Sequence, residues 1–386
     1  MVDVCITGVG LTKFGKHLER NTRELFAEAA IKAIEDSNIS NNDLEGIYIG
    51  NFSSDVFEGQ CHLAPAAVDV LGICPVPSVR VENACASGGI ALRLGVMAIR
   101  AGFFDIVLVG GMEKMTKLKT SQVQDALAMA SDKEYEIPAG VTFPGVFATM
   151  ANAHMNKYGT TEEQLAAIAV KNHKNGKHNP YAQYQKEITL DTVMNSPMVA
   201  YPLKLYDCSP ISDGAAAVIL MRGDLAHKYS DTPIEIIGSG QGSASMALHD
   251  RLDLTTLQSA VEAGRQARKQ AELEPKDVDI CEVHDCFTIA EVIATEDLGF
   301  FKPGEGGPAA EECRTAIDGE IAINTSGGLK AKGHPIGASG VAQAIEIVLQ
   351  LRGEAGKRQV EGAEIGMTHN VGGSGSSAVV HLYKRC

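Results

Sequence analysis

Several common signals are missing from this chain of 386 residues, and each absence narrows what the protein can be. No apolar run reaches the ~20 residues that a membrane-spanning helix needs. The nine cysteines form no CxxC pair and their number is odd, which is typical of free thiols in a reducing cytosol rather than of a disulfide framework. A net charge of −14 argues against nucleic acid or an anionic membrane surface as the main partner.

Targeting signals are lacking as well. The first residues, MVDVCITGVG, contain no basic segment of the kind that opens a signal peptide, and the last four, YKRC, are not the SKL ending of peroxisomal proteins. We therefore expect a cytoplasmic protein that binds neither a membrane nor nucleic acid. A local basic patch would still suffice to bind an anionic substrate.

Short β-rich runs alternate with helical patterns along most of the chain, which is typical of an α/β protein whose helices cover the faces of a sheet. The pattern changes over residues 117–206, which are polar, helical and poor in strands, as an inserted domain would be. A second series of strands begins near Pro233. The pattern predicts an N-terminal half over 1–230, which contains the insertion, and a C-terminal half over 231–386.

Two pairs of segments indicate that the halves are copies of each other. The run ACASGGIALRLGVMAIRAG at 84–102 resembles GASGVAQAIEIVLQLRG at 337–353. In the same way SDGAAAVILM at 212–221 resembles GSGSSAVVHLY at 373–383. Both pairs occur in the same order within their halves, so the sequence predicts an internal duplication.

Cys85 stands out among the cysteines because it lies between small residues, in VENACASGG. A free cysteine is often an inert core residue. If a strand ends near Asn83 and a helix begins at 85–87, however, the unpaired N–H groups and the helix dipole would favour a thiolate and lower the pKa of the thiol. Gly88 and Gly89 would let another backbone or a ligand approach closely.

A second candidate group lies in CEVHDCF. In an extended segment the side chains alternate, so His284 and Cys286 would share one face while Cys281 and Asp285 point the other way. This alternation argues against a zinc site built from both cysteines and the histidine. A thiol beside an imidazole suits proton transfer; the alternative is a strand end with incidental polar residues.

Two glycine-rich loops carry further candidates. NTSGGLKAKGHPIGASG, at 324–340, holds His334, which is suited to proton transfer near neutral pH. THNVGGSGSS, at 368–377, exposes backbone N–H groups that could bind a developing oxyanion. The run GSGQGS at 238–243 lacks the GxGxxG spacing of a dinucleotide site and is interpreted as a turn.

Five motifs, NACASGG, GGMEKM, VHDCF, SGGLKAKGHPIGASG and HNVGGSG, occur in the order found in the thiolase superfamily. The chain most resembles the sterol-carrier-protein type of thiolase and its archaeal and bacterial relatives. The resemblance covers essentially the whole chain and implies a thiolase fold. That fold consists of two duplicated α/β halves in a five-layered α-β-α-β-α sandwich, with an inserted loop domain.

The resemblance also implies roles for individual residues. Cys85 would be the acylated nucleophile, and His334 would activate it and hold the thioester oxygen. His284 stands where many thiolases have an asparagine that orients a water in the first oxyanion hole. The second hole would use the backbone N–H groups of Cys85 and Gly372.

One departure from the common thiolase pattern concerns the acid/base. Asn370 occupies the position of the cysteine in the usual C-x-G motif, so Cys286 becomes the candidate acid/base. Substrate or CoA contacts are implied for four further residues, His154, Met155, Met115 and Gly333; for His154 and Met155 the alternative is ordinary helix packing. The basic residues Lys171, His173 and Lys174 are candidates for facing the CoA phosphates, the alternative being an ordinary solvated face.

The sequence thus predicts a thiolase that cleaves a 3-oxoacyl-CoA with CoA, or runs the reverse Claisen condensation, through acyl-Cys85. No metal or redox cofactor is expected, since CoA is a substrate and covalent catalysis with two oxyanion holes carries the charge. Relatives of this type suggest a homodimer or larger assembly, some with a small zinc-ribbon and OB-fold companion. The alternatives are another acyl-CoA condensing enzyme, such as a ketoacyl synthase or hydroxymethylglutaryl-CoA synthase, and a non-catalytic CoA-binding subunit.

Overall fold

The structure is a computed structural model and describes residues 2–73 and 75–386. The strands of the described residues are β1 Val4–Leu11, β2 Gly46–Gly50, β3 Ser78–Val81, β4 Ile106–Glu113, β5 Met198–Ala200, β6 Leu203–Lys204, β7 Gly214–Arg222, β8 Ile234–Ser243, β9 Ile280–Glu282, β10 Ala322–Ile323, β11 Ile365–Gly372 and β12 Ser377–Arg385. The helices are α1 Thr22–Asp36, α2 Ser54–Phe57, α3 Leu63–Leu71, α4 Ser87–Arg100, α5 Thr120–Ala128, α6 Phe143–Tyr158, α7 Glu162–Gly176, α8 Leu190–Met194, α9 Gly223–Ala226, α10 Gln258–Ala271, α11 Thr288–Asp297, α12 Gly306–Glu311 and α13 Ile336–Arg352.

The main sheet consists of two five-stranded halves with matching strand order. The first half runs β3-β2-β4-β7-β1 and the second, read from its outer edge, runs β10-β9-β11-β12-β8. They join where β1 pairs with β8, at Cys5 opposite Glu235 and Ile6 opposite Ile234. Each strand of the first half has a counterpart at the same place in the second, so the topology is that of the internal duplication predicted from the sequence.

The helices form three layers around the two half-sheets. Helices α4 and α13 pack on each other between the half-sheets, α1 and α3 cover the outer face of the first half, and α10 covers the outer face of the second. Strand β4 lies between two layers and is therefore buried along its whole length. Its Val107 and Val109 belong to the core around α4 and α13, whereas Leu108 belongs to the core under α1 and α3. This is the five-layered sandwich of the predicted fold class.

Small residues bring the N-terminal ends of α4 and α13 together. A Cβ on Gly88 would lie 2.5 Å from the carbonyl oxygen of Gly337, so the glycine makes room for the backbone of the facing helix. The loops that precede the two helices carry Cys85 and His334. The close helix contact therefore brings the two candidate catalytic side chains to one place.

The excursion between β4 and β7 contains α5 to α8 and the β5–β6 hairpin. Its α7 packs against α11, α12 and the π-helical turn over Gly328–Lys332, so the excursion lies over the second half. The sequence limits of the two halves and of the insertion stay predictions. Within the described ranges, each helix is too short or too polar to cross a bilayer.

Candidate active site

Cys85 lies in a tight loop between β3 and α4. Ala84 adopts the left-handed backbone conformation, with φ of 47°, which is uncommon for a residue other than glycine. Ser87 Oγ holds this loop, since it accepts from the N–H of Asn83 at 2.8 Å and donates to the carbonyl of Ala84 at 2.6 Å. Such strain is typical of functional sites. Here it turns the partly exposed Cys85 towards a cavity.

The Cys85 thiol is neutral at rest. Burial raises its pKa to about 12, although the backbone N–H groups of Gly373 and of Cys85 itself act in the opposite direction. The lowered pKa expected from the sequence is therefore wrong. Helix α4 begins two residues later, at Ser87, and the desolvation of the sulfur outweighs the nearby N–H groups. Nucleophilic attack thus requires a base that removes the proton.

His334 is in the neutral form that such a base requires. Ser339 Oγ donates its own hydrogen to the carbonyl of Pro335 at 2.8 Å, so it must accept from Nδ1–H of His334 at 2.7 Å. This leaves Nε2 with a free lone pair. Burial lowers the pKa of His334 to about 3, which keeps the imidazole neutral.

His284 has the opposite tautomer. Asn370 Nδ2 lies 3.1 Å from Nδ1 of His284, and an amide nitrogen can only donate, so Nδ1 accepts and Nε2 carries the hydrogen. Nε2 is buried without a hydrogen-bond partner among the described residues. Burial and the neighbouring His334 lower the pKa of His284 well below its usual value. The resemblance implied a water held by His284, whereas this geometry leaves its own N–H free to donate.

Cys85, His284 and His334 form one cluster. The cysteine sulfur and one ring nitrogen of each histidine lie within 4.8 Å of one another, and the two rings pack edge to face with centroids 5.1 Å apart. This spacing would suit a metal ion, but a ligating histidine needs a bare nitrogen. Because Nε2 of His284 carries a hydrogen, the cluster is better suited to bind a negatively charged oxygen than a metal.

Cys286 lines the same cavity as Cys85. Burial, together with Cys85 and Asp285, raises the pKa of its thiol well above the usual value, so it is a proton donor at rest. Asp285 points away from the cavity and accepts from the N–H of Leu329 at 2.6 Å. Cys281 is fully buried and does not line the cavity, whereas Cys286 does. Strand β9 ends at Glu282, so His284 and Cys286 lie in the loop that follows it.

The second glycine loop contributes one N–H group to Cys85. The donor is Gly373, one residue beyond Gly372, which the resemblance had indicated. Gly373 has φ of 60° and lines the cavity. Gly372 serves packing instead, because a Cβ there would lie 2.5 Å from the carbonyl oxygen of Asn83.

The cavity around these groups is about 400 Å³ in volume and its wall is mainly apolar. Its lining residues include Phe52, Met115, Leu127, Phe143, Val199, Leu205, Ile211, Phe287 and Ile336. Met115 thus lies where a substrate contact was predicted. A third thiol, Cys208, also lines the wall and was not singled out from the sequence.

Three other predicted contacts lie elsewhere. His154 is fully buried, with its ring nitrogens paired to Thr160 Oγ1 at 2.7 Å and Glu296 Oε2 at 3.1 Å, so it is a structural histidine. Met155 and Gly333 do not line the cavity either. The first residues of α6 line the cavity, but His154 lies near the other end of the helix, where it pairs with Glu296 of α11. Gly333 instead allows the turn before the catalytic loop, with φ of 112°.

The basic residues proposed for the CoA phosphates face inwards. Lys171 pairs with Glu291 Oε1 at 2.8 Å and donates to the carbonyl of Ile323 at 2.7 Å. His173 stacks on Tyr184 and is buried. Lys174 alone of the three is exposed. The prediction is therefore wrong for Lys171 and His173. Lys171 is paired with a residue of the second half, and His173 packs against Tyr184 and Tyr206 of the insertion.

Sequence reasoning missed a residue that ties the loop after β2 to the start of α13. Glu113, in GGMEKM, accepts from the backbone N–H groups of Phe52 at 2.8 Å and Gly337 at 3.0 Å. It thereby links the end of β4 to the start of α13, next to His334. Burial raises the pKa of Glu113 to about 7. An acidic residue at the end of an otherwise uncharged strand was the available signal.

Comparisons with known proteins match nearly the whole chain to one family. Residues 4–224 match the family "Thiolase, N-terminal domain" and residues 240–385 match "Thiolase C-terminal domain-like". An acetyl-CoA acetyltransferase of Methanothermobacter thermautotrophicus is 54% identical over 385 residues, and the alignment covers 100% of both chains. Sterol carrier protein 2 of Bos taurus is 38% identical, over 99% of this chain and 72% of its own length. A solved structure described as "Ltp2-ChsH2(DUF35) aldolase" aligns with a TM-score of 0.85 and 26% identity, over 99% of this chain and 97% of its own.

Proposed function

Because the chain belongs to the thiolase family, we propose that its acyl transfer proceeds through acyl-Cys85, with His334, His284 and Cys286 in the roles that their geometry supports. As an acyltransferase of this family it catalyses CoA-dependent cleavage of a 3-oxoacyl-CoA or the reverse condensation. The observation that carries the assignment of residues is the cluster of Cys85, His284 and His334 within 4.8 Å.

In the first half-reaction, Nε2 of His334 takes the proton of Cys85, and the thiolate attacks the 3-oxo carbon. The backbone N–H groups of Cys85 and Gly373 are placed to stabilise the oxygen that becomes negative. The C2–C3 bond then breaks and the electron pair moves into the enolate of acetyl-CoA. The protonated Nε2 of His334 and the Nε2–H of His284 donate to the enolate oxygen, and Cys286 delivers its proton to C2.

In the second half-reaction a new CoA thiol gives its proton to the Cys286 thiolate and attacks the thioester carbon of acyl-Cys85. The same two N–H groups stabilise the tetrahedral intermediate. When the C–S bond to Cys85 breaks, His334 returns its proton to the departing thiolate. Both cysteines and the histidine end in their starting protonation states, so the cycle closes without a cofactor.

The test is to trap the intermediate. Brief incubation with acetoacetyl-CoA, followed by peptide mass spectrometry, should place an acetyl group on Cys85. Cys85→Ala should abolish thiolysis, whereas Cys313→Ala, an exposed cysteine outside the cavity, should leave it intact. Label on Cys208 or Cys286 with Cys85 clean would overturn the assignment. Absence of turnover with any 3-oxoacyl-CoA would favour another condensing enzyme or a non-catalytic subunit.

The acyl group is proposed to be larger than acetyl in at least some substrates. Support comes from the apolar wall, in which Val199 and Leu205 are 44% and 53% exposed at the mouth. A panel of straight, 2-methyl-branched and aromatic 3-oxoacyl-CoAs should show turnover beyond acetoacetyl-CoA. Turnover of acetoacetyl-CoA alone, without inhibition by the bulkier thioesters, would contradict this proposal.

We also propose a cytoplasmic homodimer that can bind a small zinc-ribbon and OB-fold companion. Strand β3 is an edge of the main sheet and its Val79 is 47% exposed, so a second copy could extend the sheet there. The name of the aldolase neighbour includes a DUF35 component, which supports a companion protein. Analytical ultracentrifugation of the pure chain should give a dimer, and Val79→Lys should weaken it; a monomer at micromolar concentration would contradict the proposal.

A further inference from the structure

The chemistry of His284 depends on which of its ring nitrogens carries the hydrogen. A neutral imidazole has one donor and one acceptor nitrogen, and the hydrogen bond at one decides the state of the other. One ring nitrogen of His284 lies within 4.8 Å of the Cys85 sulfur, and Nε2 is buried without a hydrogen-bond partner among the described residues. A hydrogen on Nε2 would stabilise a negative oxygen there, whereas a lone pair would repel it.

Asn370 is the only described group that contacts Nδ1 of His284, and its amide has one orientation. Its Oδ1 accepts from the N–H of Gly89 at 3.2 Å, and its Nδ2 donates to the carbonyl of Cys85 at 3.0 Å. Both contacts would become repulsive if the amide were flipped. The second hydrogen of Nδ2 therefore points to His284 Nδ1, 3.1 Å away.

The packing around Asn370 holds this orientation. The residue is 2% exposed, and two helices approach it through glycine. A Cβ on Gly89 would lie 2.9 Å from its Oδ1, and a Cβ on Gly340 would lie 2.3 Å from it. The amide thus occupies a space that other side chains on α4 and α13 would fill.

We propose that Asn370 is a positioning residue that holds His284 in the Nε2–H tautomer. His284 thereby becomes a donor to the thioester oxygen, and this part of the inference rests on the proposed function. The same amide donates to the carbonyl of Cys85, so it fixes the distance between the nucleophile and the donor. A carboxylate at this position would accept from Nδ1–H instead. The lone pair of Nε2 would then face the enolate oxygen.

The first test reads the tautomer directly. In protein labelled with ¹⁵N-histidine, the spectrum of His284, assigned with His284→Asn, should show hydrogen on Nε2 and none on Nδ1. In Asn370→Asp the hydrogen should appear on Nδ1. Hydrogen on Nδ1 in the wild type would overturn the proposal. This readout needs no turnover, so its failure is distinct from failure of the catalytic assignment, which Cys85→Ala tests.

The second test is a double-mutant cycle measured by thiolysis at alkaline pH, where imidazole stays uncharged. Asn370→Asp should lower kcat about 10²–10³-fold in the wild type, the usual cost of one oxyanion donor. Asparagine at 284 has no tautomers, so in a His284→Asn background the same change should cost less than about tenfold. An equal loss in both backgrounds would mean that Asn370 acts only through the Cys85 loop. Thermal unfolding of each variant controls for misfolding.

A second, independent observation concerns two thiols far from the cavity. Cys5 lies on β1, where β1 joins β8, and its sulfur is 3.3 Å from that of Cys386. Cys386 is exposed, Cys5 is buried, and the N–H of Cys386 donates to the carbonyl of Pro233 at 3.2 Å. The hydrogen bond from the Cys5 thiol lowers the pKa of Cys386. An exposed thiol whose sulfur lies 3.3 Å from that of a buried thiol is an arrangement in which a disulfide can form.

We infer that Cys5 and Cys386 are a site of oxidation by small-molecule disulfides. The Cys386 thiolate attacks one sulfur of the small disulfide, forms a mixed disulfide and releases one small thiolate, which takes up a proton. Cys5 then attacks the Cys386 sulfur, and its proton passes to the second small thiolate, which leaves as a thiol. One disulfide is reduced to two thiols, and the two cysteines are oxidised to one disulfide. The bond would link the first half to the end of the second.

The test is treatment of the whole protein with oxidised glutathione. Peptide mapping without reductant should find Cys5 linked to Cys386, and the melting temperature should rise by several degrees, reversibly with dithiothreitol, because the closed loop spans nearly the whole chain. Cys5→Ser should stop at the mixed disulfide on Cys386 and lose the rise. A stable mixed disulfide in the wild type, or no reaction at either cysteine, would refute the inference.

Discussion

The sharpest prediction concerns the proton of the acetyl-CoA enolate. Cys286 is 7% exposed, lines the cavity with Cys85 and has a pKa raised well above the usual value, so it holds a proton that it can deliver to C2. Cys286→Ala removes this proton and changes little volume. The attack of Cys85 depends on His334 and should survive, so acylation of Cys85 by acetyl-CoA should persist.

The expected loss of rate in Cys286→Ala follows from the role of Cys286 as acid and base. A positioned acid or base typically contributes 10²–10⁴-fold, which corresponds to about 3–5 kcal/mol in the barrier. The assay is solvent deuterium exchange into the methyl group of acetyl-CoA, which reports proton transfer at the α-carbon without carbon–carbon bond formation. Exchange should fall by that factor in Cys286→Ala.

Cys281→Ala is the matched control. The two cysteines lie in the same segment, but Cys281 is fully buried and does not line the cavity. Its replacement should cost stability by a buried-atom deletion, about 1 kcal/mol, and leave exchange unchanged. Exchange at the wild-type rate in Cys286→Ala would refute the reasoning, and the proton would then have to come from His334 or from the buried His369.

Three further predictions test the supports of the site. Ser339→Ala removes the acceptor that orients His334. The kcat of thiolysis should therefore fall about 5–100-fold, the cost of a lost buried hydrogen bond, while KM stays nearly unchanged. An unchanged kcat would contradict the assigned tautomer. Glu113→Gln turns an amide hydrogen towards the N–H donors of Phe52 and Gly337. The free energy of unfolding, measured by denaturant titration, should therefore fall by about 2–4 kcal/mol. Equal stability would contradict the role of the carboxylate. Because the pKa of His334 is lowered to about 3, the base stays unprotonated through the neutral range, and the rate of Cys85 acylation in rapid-quench experiments should be flat from pH ~5 to pH ~8. A fall in that rate as the pH drops through ~6.5 would contradict a buried, neutral base.

Much of the fold could be predicted because it depends on local sequence patterns. The buried strands β4 and β7 are apolar runs, and the helix starts rich in small residues are visible as repeated segments. The duplication, the layered α/β class and the excursion after β4 all follow from such patterns. The contact of Gly88 with Gly337 could not be predicted, since nothing near either glycine says which backbone will approach it.

At the site, the residue types that carry the chemistry were recognised from motifs. In the structure Cys85, Cys286 and His334 line one cavity, and His284 lies in a cluster with Cys85 and His334. The errors concern helix faces that are buried in the folded chain. His154 and Lys171 were judged to face a ligand, but each pairs with a glutamate of α11, more than a hundred residues away. His173 packs instead against Tyr184 and Tyr206 of the insertion.

The sequence by itself therefore determined the family, the order of the elements and the set of groups able to act as nucleophile, base and donor. Only the tertiary structure decided their protonation states. The tautomer of His284 depends on Asn370, 86 residues away, and the pKa of Cys85 depends on how completely the folded chain removes water from the sulfur. Residue identity sets the ordinary pKa and the number of donors, but burial and hydrogen-bond partners set their actual state, and both exist only once distant segments have packed together.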